Sequence, residues 1–126
     1  MPKINSNKKA ATAFLRLVIE GKIRDAYANY ISPEMIHHNA AFAGDAASLE
    51  KAMLENHLKF PNKRIVVKHA VAEGDLVAVQ SHIRMNVKDP GFAAVHIFRL
   101  KDERIVEMWD IAQSIPEESP NQNGMF

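Results

Sequence analysis

The residues best suited to chemistry in this chain are His96 and Asp110, fourteen positions apart in the stretch Ala94 to Asp110. That stretch reads as two alternating strands joined by a tight polar turn. Residues two apart in a strand share a face. His96, Phe98 and Leu100 therefore share one face, and Val106, Met108 and Asp110 share one face of the return strand. A turn centred on Asp102-Glu103 places His96 across from, or next to, Asp110. An acid and an imidazole then sit among Phe, Leu, Val and Met. An apolar surround raises a carboxylate's pKa and a neighbouring cation lowers it, which is how a general acid/base pair is tuned. Trp109 alternates away from Asp110.

Other polar residues could complete such a site. His37-His38-Asn39 follows an apolar stretch and precedes a small-residue loop. Adjacent strand residues point opposite ways, so only one of the two histidines can enter a pocket. Asn39 is suited to bonding the backbone and fixing a bend. His82 has Gln80 and Arg84 on its own strand face, and is a pocket residue if that face is the inner one. Phe42, Met53, Phe98 and Met108 read as core or pocket wall, Met being an adaptable apolar lining. His38, His82, His96 and Asp110 could be taken as a nitrogen and oxygen ligand set, but no close His-x-His or His-x-x-x-His spacing links them, so no metal is expected. There is no Gly-rich phosphate loop and no serine nucleophile elbow, so no cofactor is expected either.

These residues need elements to hold them. Asn5 and Ser6 are good caps for a helix with Ala10, Ala13, Phe14, Leu17 and Val18 on one side, stopped by Gly21. A second short helix carries Ile23, Ala26, Tyr27 and Tyr30. Ser32-Pro33-Glu34 has the form of a cap, a first-turn proline and a helix-starting acid. Met35 to Asn39 is a short extended segment or a helical turn. Asp45 caps a third helix to about Lys59. From Arg64 the period changes to two, giving strands near 64–73, 76–86, 92–101 and 104–113, with turns at Gly74-Asp75 and Lys88 to Gly91. The tail, 116–126, is extended.

Three helices followed by a four-stranded antiparallel meander make an α+β fold, with the helices on one sheet face. Val77, Val79, Ile83, Val95, Ile97, Ile105 and Trp109 are assigned to the other face. An apolar face of that size predicts a homodimer through the sheet.

The 126 residues predict one domain, 1–126. A net charge of +1 with no basic cluster predicts neither a nucleic-acid partner nor a membrane. With no cysteine, disulfides and thiolate chemistry are excluded. The N-terminus lacks an apolar signal core, and a cytoplasmic location is expected.

Tyr30 through His38-Asn39, Ala72 to Asp75, Asp89 to Ala93, Ile97-Phe98-Arg99 and Ile105 to Asp110 together resemble the SnoaL-like polyketide-cyclase group of the nuclear transport factor 2-like superfamily. So does the ending Pro120 to Phe126. The resemblance spans nearly the whole chain. It implies a cone of helices wrapped by a curved sheet, with a deep apolar pocket between them. In the cyclases it resembles, an aspartate on the last strand is the acid/base of a cofactor-free intramolecular aldol closure, supported by a histidine on the preceding strand. Asp110 and His96 fall on those positions, although many relatives carry Asp at the place of His96. The resemblance also favours His38 as the pocket histidine. The expected activity is acid/base catalysis on a small hydrophobic carbonyl compound: aldol-type cyclisation, isomerisation or elimination. The alternative is a ligand-binding module of the same fold that performs no chemistry.

Overall fold

The computed structural model describes residues 2–126, with side chains from residue 5 onward. The order is α1 (Pro2–Ile19), α2 (Ile23–Tyr30), β1 (Ile31–His37), α3 (Ala46–Lys59), β2 (Arg64–Glu73), β3 (Leu76–Arg84), β4 (Phe92–Lys101) and β5 (Arg104–Ser114). The strands form one five-stranded sheet in the order β1-β5-β4-β3-β2. β2 to β5 are the antiparallel meander, and β1 adds a parallel edge against β5.

Two expectations at the N-terminal end are corrected. α1 begins at Pro2 rather than after Asn5-Ser6. A proline is tolerated there because a first-turn N–H has no helical partner to lose. Ser32-Pro33-Glu34 does not start a helix; it lies inside β1, so the sheet has five strands and not four. Pro33 fits because β1 is an edge strand and its pairing with β5 is interrupted between Ile31 and Ile36. α3 begins where expected, with the Asp45 carboxylate accepting from Ser48 N at 2.9 Å.

The core lies between the helices and one sheet face. Phe14 of α1 meets Tyr27 of α2 edge-on at 5.5 Å and Phe98 of β4 at 6.0 Å. Val77, Val79, Ile83 and Ile105 are buried, and the first three pair across the β3–β4 ladder with Phe98, His96 and Phe92. Directly opposed residues share a face, so these valines and Ile83 point toward the helices. Of the seven residues assigned to the outer face, only Val95, Ile97 and Trp109 lie there. Val71, Ala78 and Ile111 join them by pairing with or beside Ile97 and Val95, so the outer face keeps apolar residues that differ in part from those expected.

The β4–β5 hairpin decides where the chemistry sits. Asp102 (φ 52°) and Glu103 (φ 66°) form its two-residue turn, both left-handed as a type I′ hairpin requires. Lys101 pairs with Arg104 and Leu100 with Ile105, but Arg99 pairs with Glu107. Val106 is therefore an extra residue, a β-bulge. Ile105 and Met108 both face the core, three apart instead of two, and Val106 does not share a face with Met108. Beyond the bulge His96 pairs with Asp110. Without it, His96 would stand opposite Trp109.

Candidate functional site

Asp110 and His96 face each other across neighbouring strands on the inner side of the sheet, His96 Nε2 lying 3.2 Å from Asp110 Oδ1. The His96 side chain is 10% exposed and that of Asp110 27%. The second carboxylate oxygen is also held, by Asn39 Nδ2, which donates to Oδ2 at 2.7 Å. Asn39 is itself clamped. Its Oδ1 accepts from Ala41 N at 3.0 Å, and its own N–H donates to His37 Nδ1 at 3.1 Å. The other nitrogen of His37 donates to the Ala43 carbonyl at 2.6 Å. His37 is thus a neutral imidazole whose two nitrogens brace the 39–43 loop, and that loop aims Asn39 at the carboxylate.

Opposing influences act on Asp110. Burial pushes its carboxyl up, but the His96 hydrogen bond and charge and the Asn39 hydrogen bond together hold it below the usual carboxylate range. The carboxylate is oriented, ionised and weakly basic. The imidazole beside it can donate or carry charge.

The other expected site residues are dispersed. His38, one position past the buried His37, points outward. Its Nε2 meets Glu107 Oε2 at 2.8 Å and its ring stacks on Trp109 at 5.0 Å. Strand alternation forces this once His37 is inside. The same carboxylate meets Arg99, which also holds Asp75, so an ion chain crosses the outer face. The His38 hydrogen bond is the chief reason that the Glu107 carboxyl lies below its ordinary value. His82 is on the outer face too, because Val79, Ser81 and Ile83 on the same strand point inward. It bonds the Pro90 carbonyl and packs against Phe126 of the tail, ring centroids 4.9 Å apart. Neither His38 nor His82 is a pocket residue. Phe42 is exposed on the loop after Asn39, and Met53 is half-buried against the core. Met108 is buried in the core, as is Phe98, which stacks beside His96 at 6.0 Å.

Open cavities elsewhere include one of about 720 Å³ beside the β4–β5 turn, one of about 570 Å³ between α1 and that turn, and one of about 320 Å³ beneath the tail at His82 and Phe126. None of these is lined by Asp110 or His96.

Three inner residues escaped the sequence reading. The resemblance favours His38, but His37 is the histidine that turns inward. Ser81 is fully buried and its Oγ has no hydrogen-bond partner among the described residues. Its signal was a lone polar residue in the inward series Val77, Val79, Ser81, Ile83. Lys63 is buried at the entry to β2, bonded to Asn56 Oδ1, and burial pushes its amine below the ordinary lysine value.

Comparison with known proteins agrees with this architecture. Residues 8–118 match the family model for SnoaL-like polyketide cyclase. A loop-truncated variant of IdmH superposes with a TM-score of 0.73 at 21% identity, covering 85% of this chain and 92% of that one. AclR from Streptomyces galilaeus gives 0.72 at 21% identity, with 88% and 81% covered. An NTF2-like protein from Cytophaga hutchinsonii gives 0.68 at 16%, with 85% and 89% covered. At these identities the likeness establishes the fold alone. A search of curated proteins finds no match. Among the described residues no helix is long and apolar enough to cross a membrane. The chain belongs to the SnoaL-like polyketide cyclase family and has its NTF2-like α+β fold.

Proposed function

We propose that the protein binds a small, mainly hydrophobic carbonyl compound on the inner sheet face and moves a proton next to the carbonyl, with Asp110 as base and no cofactor. The supporting observation is the grip on Asp110: one oxygen on His96, the other on Asn39, at the half-open end of an apolar surface. Two fixed donors orient the carboxylate, and orientation is a large part of what a catalytic base needs.

The lowered carboxyl narrows the substrate class. A weak base removes only an acidic proton at a useful rate, since proton transfer follows the difference in basicity. The C–H must lie between two carbonyls or next to an equally good electron sink. His96, donating or protonated, would stabilise the developing enolate oxygen. Aldol-type cyclisation, isomerisation and elimination all share this first step.

The test is hydrogen–deuterium exchange into a panel of 1,3-dicarbonyl compounds, which detects proton removal without knowledge of the product. Asp110→Asn keeps shape and hydrogen bonding but removes the acceptor, and exchange should vanish. His96→Gln should slow it by about 10²–10³ if His96 is one oxyanion donor. Wild-type exchange rates in Asp110→Asn would exclude Asp110. The weak basicity of the same carboxylate favours a second reading, binding without chemistry, and that reading stands if no compound exchanges but some bind.

A further inference from the structure

The tail is a strap fastened at two places. At one end Ile115 N donates to the Gly91 carbonyl at 3.1 Å. At the other the Phe126 ring lies against His82, centroids 4.9 Å apart, with Lys68 Nζ 5.2 Å from the centre of the same ring. Among the described residues, the hydrogen bonds made by 116–125 stay inside the segment: Asn121 N donates to Ser119 Oγ, and Asn123 N to Asn121 Oδ1. The strap spans the cavity of about 320 Å³, with Gly124, Met125 and Phe126 on the strap side and His82 and Pro90 on the other.

One peptide unit of this strap has the chemistry to change its own covalent structure. Asn123-Gly124 is the only asparagine–glycine pair in the 126 residues. The backbone nitrogen after an asparagine can attack the side-chain amide carbon. A new N–C bond closes a five-membered succinimide, the bond to the amide nitrogen breaks, and that nitrogen leaves as ammonia with the proton displaced from the backbone. Water then opens the ring at one of its two carbonyls, giving aspartate or isoaspartate. A side chain on the following residue, a hydrogen bond on its N–H, and burial each hold the reaction back. None of the three applies here. Residue 124 has no Cβ, its φ is +75°, and nothing lies within 4 Å of where a Cβ would be. Neither Gly124 N nor the Asn123 side-chain amide bonds another described residue, and both residues are exposed.

We propose that Asn123 is a self-modification site, at which deamidation releases Phe126 from His82 and opens the cavity beneath the strap. Both products place a carboxylate on the strap. Isoaspartate also carries the main chain through the side-chain carbon, which adds one backbone atom between the two fastenings. Phe126 is only three residues farther on, is 42% exposed, and is held by its ring contacts alone. No hydrogen bond from 116–125 to the sheet re-seats the ring once the backbone lengthens. The change runs one way, because the ammonia is lost to solvent. The site involves none of Asp110, His96 or Asn39, and lies on the opposite face of the sheet from them.

The experiment ages the full chain in mildly alkaline buffer and samples it over time. Trypsin releases residues 105–126, in which fragmentation mass spectrometry separates Asn123 from Asn121, an internal control followed by Gln122. Asn123 converts faster than Asn121 by about tenfold or more, and an isoaspartate-specific methyltransferase labels the product. Asn123→Gln does not convert, because its longer side chain would have to close a six-membered ring. In the NMR spectrum of the aged wild type, the His82 ring protons move to the positions they hold in Phe126→Ala. In aged Asn123→Gln they stay where they are in the fresh protein. Conversion of Asn123 no faster than that of Asn121 overturns the site. Conversion that leaves the His82 ring protons in place overturns the release.

Discussion

Replacing Asn39 by Ala should raise the pKa of Asp110 and cost about 1.5 kcal/mol of stability at neutral pH. The side chain donates to Asp110 Oδ2 at 2.7 Å, and a hydrogen bond to a charged group contributes about 1.5–3 kcal/mol. Asp110 is 27% exposed, so solvent would replace part of what is lost and the low end applies. Stability has a matching pH signature. The native carboxyl is depressed, so its contribution is complete above the unfolded value, about 3.9, and is lost as pH falls through the lower folded value. Asn39→Ala should therefore destabilise the protein at pH 7 and do so less in acid, once the carboxyl is protonated in both proteins. The assay is a 13C NMR titration of the Asp110 carboxyl, paired with denaturant unfolding at the two pH values. An unmoved Asp110 pKa, or an equal loss of stability at both pH values, would refute the assignment of Asn39 as the donor that holds the carboxylate.

Two further predictions concern the frame. Gly21 has φ +88°, and a Cβ there would come within 2.2 Å of the His57 ring; Gly21→Ala should cost about 1–3 kcal/mol in denaturant unfolding, and a loss under 0.5 kcal/mol would mean that α1 and α3 do not meet at this point. Asp102 and Glu103 hold left-handed backbone without being glycine, so the double change Asp102→Asn with Glu103→Gly, the favoured type I′ pair, should stabilise the hairpin by about 0.5–1 kcal/mol and raise the thermal midpoint. A lower midpoint would indicate a different turn.

Much of the frame was legible from local pattern. The period-two runs after Arg64 marked four strands, Asp45 marked the start of α3, and two polar residues between alternating runs marked the β4–β5 turn. Each of these depends on neighbours within a few positions, which is why a string of residues can report them. The proximity of His96 and Asp110 was legible only as across from or next to, because a symmetric two-residue turn alone would set His96 against Trp109. The Val106 bulge, invisible in composition, moves Asp110 into place.

What escaped the sequence shares one cause. Which of two strand faces turns inward is set by register between strands, and register depends on bulges and connections rather than on either strand alone. Parity taken one strand at a time puts Val77, Val79, Ile83 and Ile105 outside, and His82 inside if its face is the inner one, because it ignores the partner strand. Ser32-Pro33-Glu34 has the local form of a helix start, yet β5 offers it an unpaired edge, and backbone pairing outweighs a weak propensity. His37 and His38 differ by one position and occupy opposite faces. Asn39 reaches Asp110 from seventy-one residues away. The sequence by itself determined which side chains were present and how each alternates along its own strand. The tertiary structure alone decided which of them meet, because a contact across strands is a property of two segments and the register between them.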